Sequence, residues 1–164
     1  MLSLVCANIR NCVRPSSMIR ALDLLLATGR YLTDETKLDR MLPFIVSLLT
    51  NEAASVRAAA LRTLSQTLSL VTTMTPSNAT IFPEYIVPNV MPLATDPEEI
   101  VRCTFAQSLA VLAEAGQRYL DMTQALKAEG TFKLTRRKGQ VTDGSPYEVS
   151  GRHSRATFSA ALLT

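Results

Sequence analysis

Asp96-Pro97-Glu98-Glu99-Ile100-Val101-Arg102 decides how this chain is read, because it announces a helix start and echoes Asn51-Glu52-Ala53-Ala54-Ser55-Val56-Arg57, 45 residues upstream. Asp96 offers a carboxylate to the free amides of a first turn. Pro97 suits the first helical position, and Glu98 and Glu99 complement the positive end of the helix dipole. The same offset continues without a gap. It pairs Met41-Leu42-Pro43 with Ile86-Val87-Pro88, Leu48 with Leu93, Val56-Arg57 with Val101-Arg102, and Leu64 with Leu109. A repeated helical unit is the first expectation.

Working outward, the spacing of apolar residues predicts a pair of helices in each unit. A first helix over about 36–49 carries Leu38, Met41, Leu42, Ile45, Leu48 and Leu49 on one side, with Pro43 in its interior. Its counterpart over about 83–94 has Pro88 at the equivalent place and adds Pro92. An interior proline removes one backbone bond and costs about 3 kcal/mol unless packing accommodates it, so a bend is expected at both. The second helices are expected over about 52–71 and 97–115. Their stripes are Val56, Ala59, Ala60, Leu61, Leu64, Leu68 and Val71, then Ile100, Val101, Phe105, Leu109 and Leu112. Gly116 is expected to kink or split the latter before Tyr119, Leu120, Met122 and Leu126.

Upstream, Leu2, Val5, Ile9, Cys12 and Val13 suggest a short amphipathic helix. Ser16 or Ser17 is placed to cap the next one, whose stripe is Ile19, Leu22, Leu25 and Leu26, with Gly29 near its end. Thr33-Asp34-Glu35 restarts the chain. Between the units, 72–80 reads as a polar loop broken by Pro76, Ser77 and Asn78. Beyond Gly130 no apolar period survives, so the division is a helical-repeat segment over 1–130 and a mostly disordered tail over 131–164.

Composition agrees with this reading. Of 164 residues, 47% are hydrophobic and 19% charged, which suits a packed chain. Aromatics are only 5% and Trp is absent, so helix packing is favoured over a sandwich or barrel and the fold class is all-α. The net charge of +3 arises entirely in the tail. Residues 1–126 hold 10 Lys/Arg against 11 Asp/Glu, and 127–164 hold 7 against 3. A nearly neutral body does not offer the basic face that nucleic acid requires. Cys6, Cys12 and Cys103 show no Cys-x-x-Cys spacing, so neither a disulfide framework nor a zinc site is indicated. The opening apolar residues are interrupted too early for a signal-peptide core, and nothing approaches a spanning helix.

No constellation for chemistry is legible. The single histidine, His153, falls in the tail, which leaves no Ser/His/Asp or Cys/His arrangement on a rigid frame. There is no phosphate-cradling glycine loop and neither kinase signature, His-Arg-Asp or Asp-Phe-Gly. The pairs Asp34-Glu35 and Glu98-Glu99 read as helix-start charges. Asn78-Ala79-Thr80 matches a glycosylation sequon by accident. The basic run Arg136-Arg137-Lys138 reads as a solvated linker. No catalytic, cofactor or metal residue is assigned. The positions singled out are structural: Asn51, Arg57, Asp96, Arg102, Pro43 and Pro88, with Arg57 and Arg102 expected to form an intra-repeat ladder, each bonding its own turn to its own helix.

A helix–turn–helix period of roughly 40–47 residues is that of HEAT and armadillo arrays, which stack into a curved solenoid. More specifically, YLTDETKLDRMLPFIVSLL (31–49), VRAAALRTL (56–64), NATIFPEYIVPNV (78–90), DPEEIVRC (96–103) and QALKAEGTFKL (124–134) resemble the HEAT-repeat region of the protein-kinase-like regulatory subunit of the class III phosphatidylinositol 3-kinase complex. The fungal form is nearest in flavour. The resemblance covers roughly residues 10–134, with IFPEYIVP (81–88) its most telling piece; Gly151 to Thr164 does not follow the expected continuation.

The resemblance implies a longer parent, with a protein kinase or pseudokinase domain before this array and a WD-repeat propeller after it. It implies a non-catalytic scaffold segment whose protein partners are the lipid-kinase catalytic and accessory subunits. Localisation would be cytoplasmic and peripheral on endosomal, vacuolar or autophagic membranes, through the complex. No cofactor, nucleic acid or small-molecule substrate is implied. The rival is a HEAT or armadillo adaptor of another system, a nuclear transport receptor or a phosphatase scaffold, which shares the architecture but not IFPEYIVP.

Overall fold

The computed structural model describes residues 14–128, and every regular element among them is helical. Helix α1 spans Pro15–Gly29. Helix α2 is a composite of Asp34–Thr36, a π-helical turn Lys37–Met41, an α-helical stretch Leu42–Ser47 and a closing 3₁₀ turn Leu48–Thr50. Helix α3 spans Ala54–Ser69. After a 3₁₀ turn at Pro76–Asn78, α4 runs through a π-helical turn Phe82–Ile86, Val87–Val90 and a 3₁₀ turn Met91–Thr95. Helix α5 spans Glu99–Ala128. The expected helix over 2–13 and the expected tail over 131–164, with Arg136-Arg137-Lys138 and His153, lie outside the described residues.

The 45-residue offset reaches the hydrogen bonds of the two proline helices. The Leu42 amide donates to the Lys37 carbonyl and the Val87 amide to the Phe82 carbonyl, each five residues back. These wide turns sit directly before Pro43 and Pro88. A proline has no amide to donate and its ring crowds the carbonyl four residues earlier, so one extra residue in the preceding turn lets the helix continue. Both rings face solvent. The expected bends are therefore local widenings rather than breaks.

Three long helices form a row in which α3 packs against α1 on one side and α5 on the other, while α2 folds back on α3 and α4 on α5. The central position of α3 explains its burial nearly all round, from Val56, Leu61, Leu64 and Leu68 to Ala58, Ala59 and Ala60. Small side chains on a helix with neighbours on both sides permit close approach. In α2, Leu38, Met41, Leu42, Ile45, Leu48 and Leu49 are buried as the spacing predicts, together with Phe44 and Val46.

Four local expectations change. Helix α1 starts with Pro15 at its first position, and Arg14 before it makes no side-chain cap, so Ser16 and Ser17 lie inside the first turn. Pro15 needs no amide partner there, and its fixed φ favours the start. Ile100, placed in the apolar stripe of α5, is 52% exposed. Pro97 precedes the helix, which begins at Glu99.

Gly116, lastly, neither kinks nor splits α5. It is where the ring of Phe82 lies against the helix, and a Cβ built there would stand 2.9 Å from Phe82 Cε1. The same ring packs on Tyr119 with centroids 5.3 Å apart. Gly116→Val is expected to destabilise the fold by about 1–3 kcal/mol through overpacking, and Phe82→Leu in the same chain should recover much of that loss in a denaturant titration.

Candidate functional site

The two connecting turns are built alike, bond for bond. In the first, Asn51 Oδ1 accepts from the Ala53 amide at 3.0 Å, and the Ala53 carbonyl accepts from the amides of Val56 and Arg57. In the second, Asp96 Oδ1 accepts from the Glu98 amide at 2.9 Å, and the Glu98 carbonyl accepts from Val101 and Arg102. Each is a turn closed by a side chain onto the amide two residues on. Arg57 Nη1 donates to the carbonyls of Asn51 and Glu52, and Arg102 Nη1 donates to those of Asp96 and Pro97.

The rest of the Arg57 guanidinium reaches beyond its own unit. Its Nε and Nη2 donate to Asp96 Oδ2 and Oδ1 at 2.8 and 2.7 Å, so the ladder runs between units rather than only within them. The planar fork of an arginine matches both oxygens of a carboxylate, and the pair is sheltered, with side chains 12% and 7% exposed. The hydrogen bond from Arg57 outweighs burial and holds the Asp96 carboxyl below the usual carboxylate range; the same bond raises Arg57. The position opposite, Asn51, is neutral and meets α1 through Met18, whose sulfur lies 3.8 Å from its Nδ2.

A second clamp was not legible at all. Asp34 Oδ2 accepts from the amides and hydroxyls of both Thr72 and Thr73 at 2.9–3.0 Å, and its Oδ1 pairs with Lys37 Nζ at 2.7 Å. Burial works against ionisation, yet Lys37 and the threonine donors together hold this carboxyl well below its ordinary value. Lys37 also donates to the Leu70 carbonyl, while Arg118 donates to those of Leu68 and Ser69. Two cations from other helices thus satisfy the carbonyl end of α3 and complement its dipole. Asp34 therefore anchors a distant loop as well as starting a helix.

The remaining candidates are accounted for. Asn78 is buried and donates to Asp39 Oδ1 at 3.0 Å, which removes the sequon from solvent. Glu98 and Glu99 are exposed at the helix start. Among the described residues no group of three or more His, Cys, Asp or Glu could hold a metal, and no helix is long and apolar enough to cross a membrane. Thr123 donates to the Ala79 and Tyr119 carbonyls; the Tyr119 hydroxyl has no partner among the described residues, and its burial pushes its pKa up. One apolar groove lies open between α4 and α5, lined by Phe82, Val87, Met91, Phe105, Leu109 and Leu112 among others. The charges of Asp34, Lys37, Arg57, Asp96 and Arg118 are thus spent on holding turns and helix ends.

Comparison with known proteins gives this chain a family. The family described as PIK3R4-like, middle domain, matches residues 1–163. The chain belongs to the PIK3R4-like family. The match extends past Gly151, through the stretch that does not follow the continuation expected from the resemblance. The chain is similar to the serine/threonine-protein kinase vps15 of Schizosaccharomyces pombe, 33% identical over 156 residues, covering 93% of this chain and 9% of the relative. It is similar to VPS15 of Arabidopsis thaliana, 42% identical over 118 residues, covering 72% of this chain and 8% of the relative. The probable vps15 kinase of Dictyostelium discoideum is 33% identical over 156 residues, covering 90% and 8%. This PIK3R4-like middle domain spans less than a tenth of the length of these relatives, and the kinase in their names is theirs.

Removing one partner of a sheltered ion pair strands the other, so Arg57→Ala should destabilise the fold by about 3 kcal/mol, and Asp96→Asn, which keeps the turn, should lose less in the same titration. Both Asp34 and Asp96 are depressed below the ordinary 3.8. Their contribution is therefore full above that value and is lost as pH falls through the lower folded values. Thermal melts should stay level above about pH 5 and drop below about pH 4, with a shallower drop in Asp34→Asn.

Proposed function

We propose that this chain is a non-catalytic scaffold segment that organises a class III phosphatidylinositol 3-kinase assembly as part of a larger regulatory subunit. The observation that carries the reading is the match to the PIK3R4-like middle domain across residues 1–163, on a stack of helical units in which Arg57, Asp34 and Arg118 hold turns and helix ends. A scaffold of this kind works by presenting helix faces and connecting loops at fixed spacing, and the paired units supply that spacing. Its partners are the lipid-kinase catalytic subunit and accessory subunits, and its place is the cytoplasmic side of endosomal, vacuolar or autophagic membranes, reached through the complex.

The reading is tested by affinity purification of the full-length polypeptide, with and without this segment. Recovery of a phosphatidylinositol 3-kinase catalytic subunit that falls when the segment is deleted supports it. Recovery instead of importin cargo or a phosphatase catalytic subunit overturns it in favour of another helical-repeat adaptor.

A further inference from the structure

The connection between α3 and α4, residues 70–80, carries five hydroxyl side chains and no charge. Residues 71–75 form no helix, and Pro76–Asn78 is a single 3₁₀ turn. What holds this neutral segment is anionic. On one side Asp34 Oδ2 takes the amides and hydroxyls of Thr72 and Thr73. On the other, Asn78 Nδ2 donates to Asp39 Oδ1 at 3.0 Å. Both carboxylates belong to α2, so the loop is bound to that helix by what it donates.

Thr75 lies between the two anchors. Its Oγ1 shares a hydrogen with Ser77 Oγ at 2.8 Å and accepts from the same Asn78 Nδ2 at 3.2 Å, so one side-chain amide separates the Thr75 hydroxyl from the Asp39 carboxylate. Pro76 follows, and the Thr75 backbone is extended, with φ −85° and ψ 156°. A residue before proline is driven away from helical angles, and a kinase cleft that accepts proline after the acceptor reads that extended pair and its missing amide. Thr72, Thr73 and Ser77 around it are exposed, and a segment without helical hydrogen bonds opens locally at low cost.

We infer that Thr75 is a phosphoacceptor for a proline-directed protein kinase, and that its phosphorylation releases the 72–80 loop from α2. In the transfer, Thr75 Oγ1 attacks the γ-phosphorus of a nucleoside triphosphate and the bond from that phosphorus to the β–γ bridging oxygen breaks. The nucleoside diphosphate leaves, and the hydroxyl proton passes to the base of the kinase. The product places a charge of about −2 across one amide from Asp39, where like charges repel. No cation in the loop offsets it, and Lys37 is already engaged by Asp34 and the Leu70 carbonyl. An attraction between donors and carboxylates thereby becomes a repulsion. Nothing in this depends on which complex the protein serves.

The test incubates the folded full-length polypeptide with ATP and a mitogen-activated protein kinase and locates phosphate by mass spectrometry. Thr75 should be labelled, P76A should lose the label, and a kinase that selects basic residues should leave Thr75 unlabelled. In the phosphorylated form the Thr72, Thr73 and Asn78 amides should exchange hydrogen faster by about tenfold, the effect of losing one hydrogen bond to a charged group. D39N, which removes the facing charge, should shrink that difference. The proposal is overturned if Thr75 of the folded parent stays unlabelled, if P76A or the basic-selective kinase gives the same label, or if labelled Thr75 leaves exchange at the three amides unchanged.

Discussion

The bidentate contact between Arg57 and Asp96 is the constraint around which the rest is arranged. It joins two turns that would otherwise be independent, and each partner is held twice, since Arg57 also bonds the carbonyls of its own turn and Asp96 also closes its own. A charge pair gains most when its members are already oriented and sheltered, because little side-chain entropy remains to be lost. The turns fix where α3 and α5 begin, and the pair ties those two starts together.

At the opposite end of α3 the problem is chemically reversed. Four carbonyls at a helix C-terminus lack intrahelical partners and carry partial negative charge. Helix α3 has no basic residue in its own last turn, and the cations come from Lys37 on α2 and Arg118 on α5. Asp34 then binds Lys37 and the following loop together. The central helix is thus pinned at one end by a carboxylate–guanidinium pair and at the other by two donors from its neighbours. This gives the stack rigidity without requiring a large aromatic core.

Much of this frame was legible from particular residues. The offset linking Asn51 to Asp96 and Arg57 to Arg102 located both turns, and Pro43 with Pro88 marked equivalent places in α2 and α4. The apolar spacing of α2 and α3 named residues that are indeed buried. What resisted was anything set by a neighbour. Gly116 looked like a break because glycine is a poor helix former, whereas its missing side chain admits the Phe82 ring. Ile100 fits the stripe of an isolated helix but lies on the exposed side of the assembled one.

The sequence by itself determined that the chain is helical, that it repeats, and which residues of α2 and α3 turn inward, because period and turn chemistry act over a few residues and are written locally. Only the tertiary structure decided that Arg57 reaches across to Asp96, that Asp34 holds Thr72 and Thr73, and that Lys37 and Arg118 meet at the end of α3. Those contacts join residues 33–50 positions apart. Their geometry is set by how the helices stack, and no local pattern encodes the distance between two helices that have yet to pack.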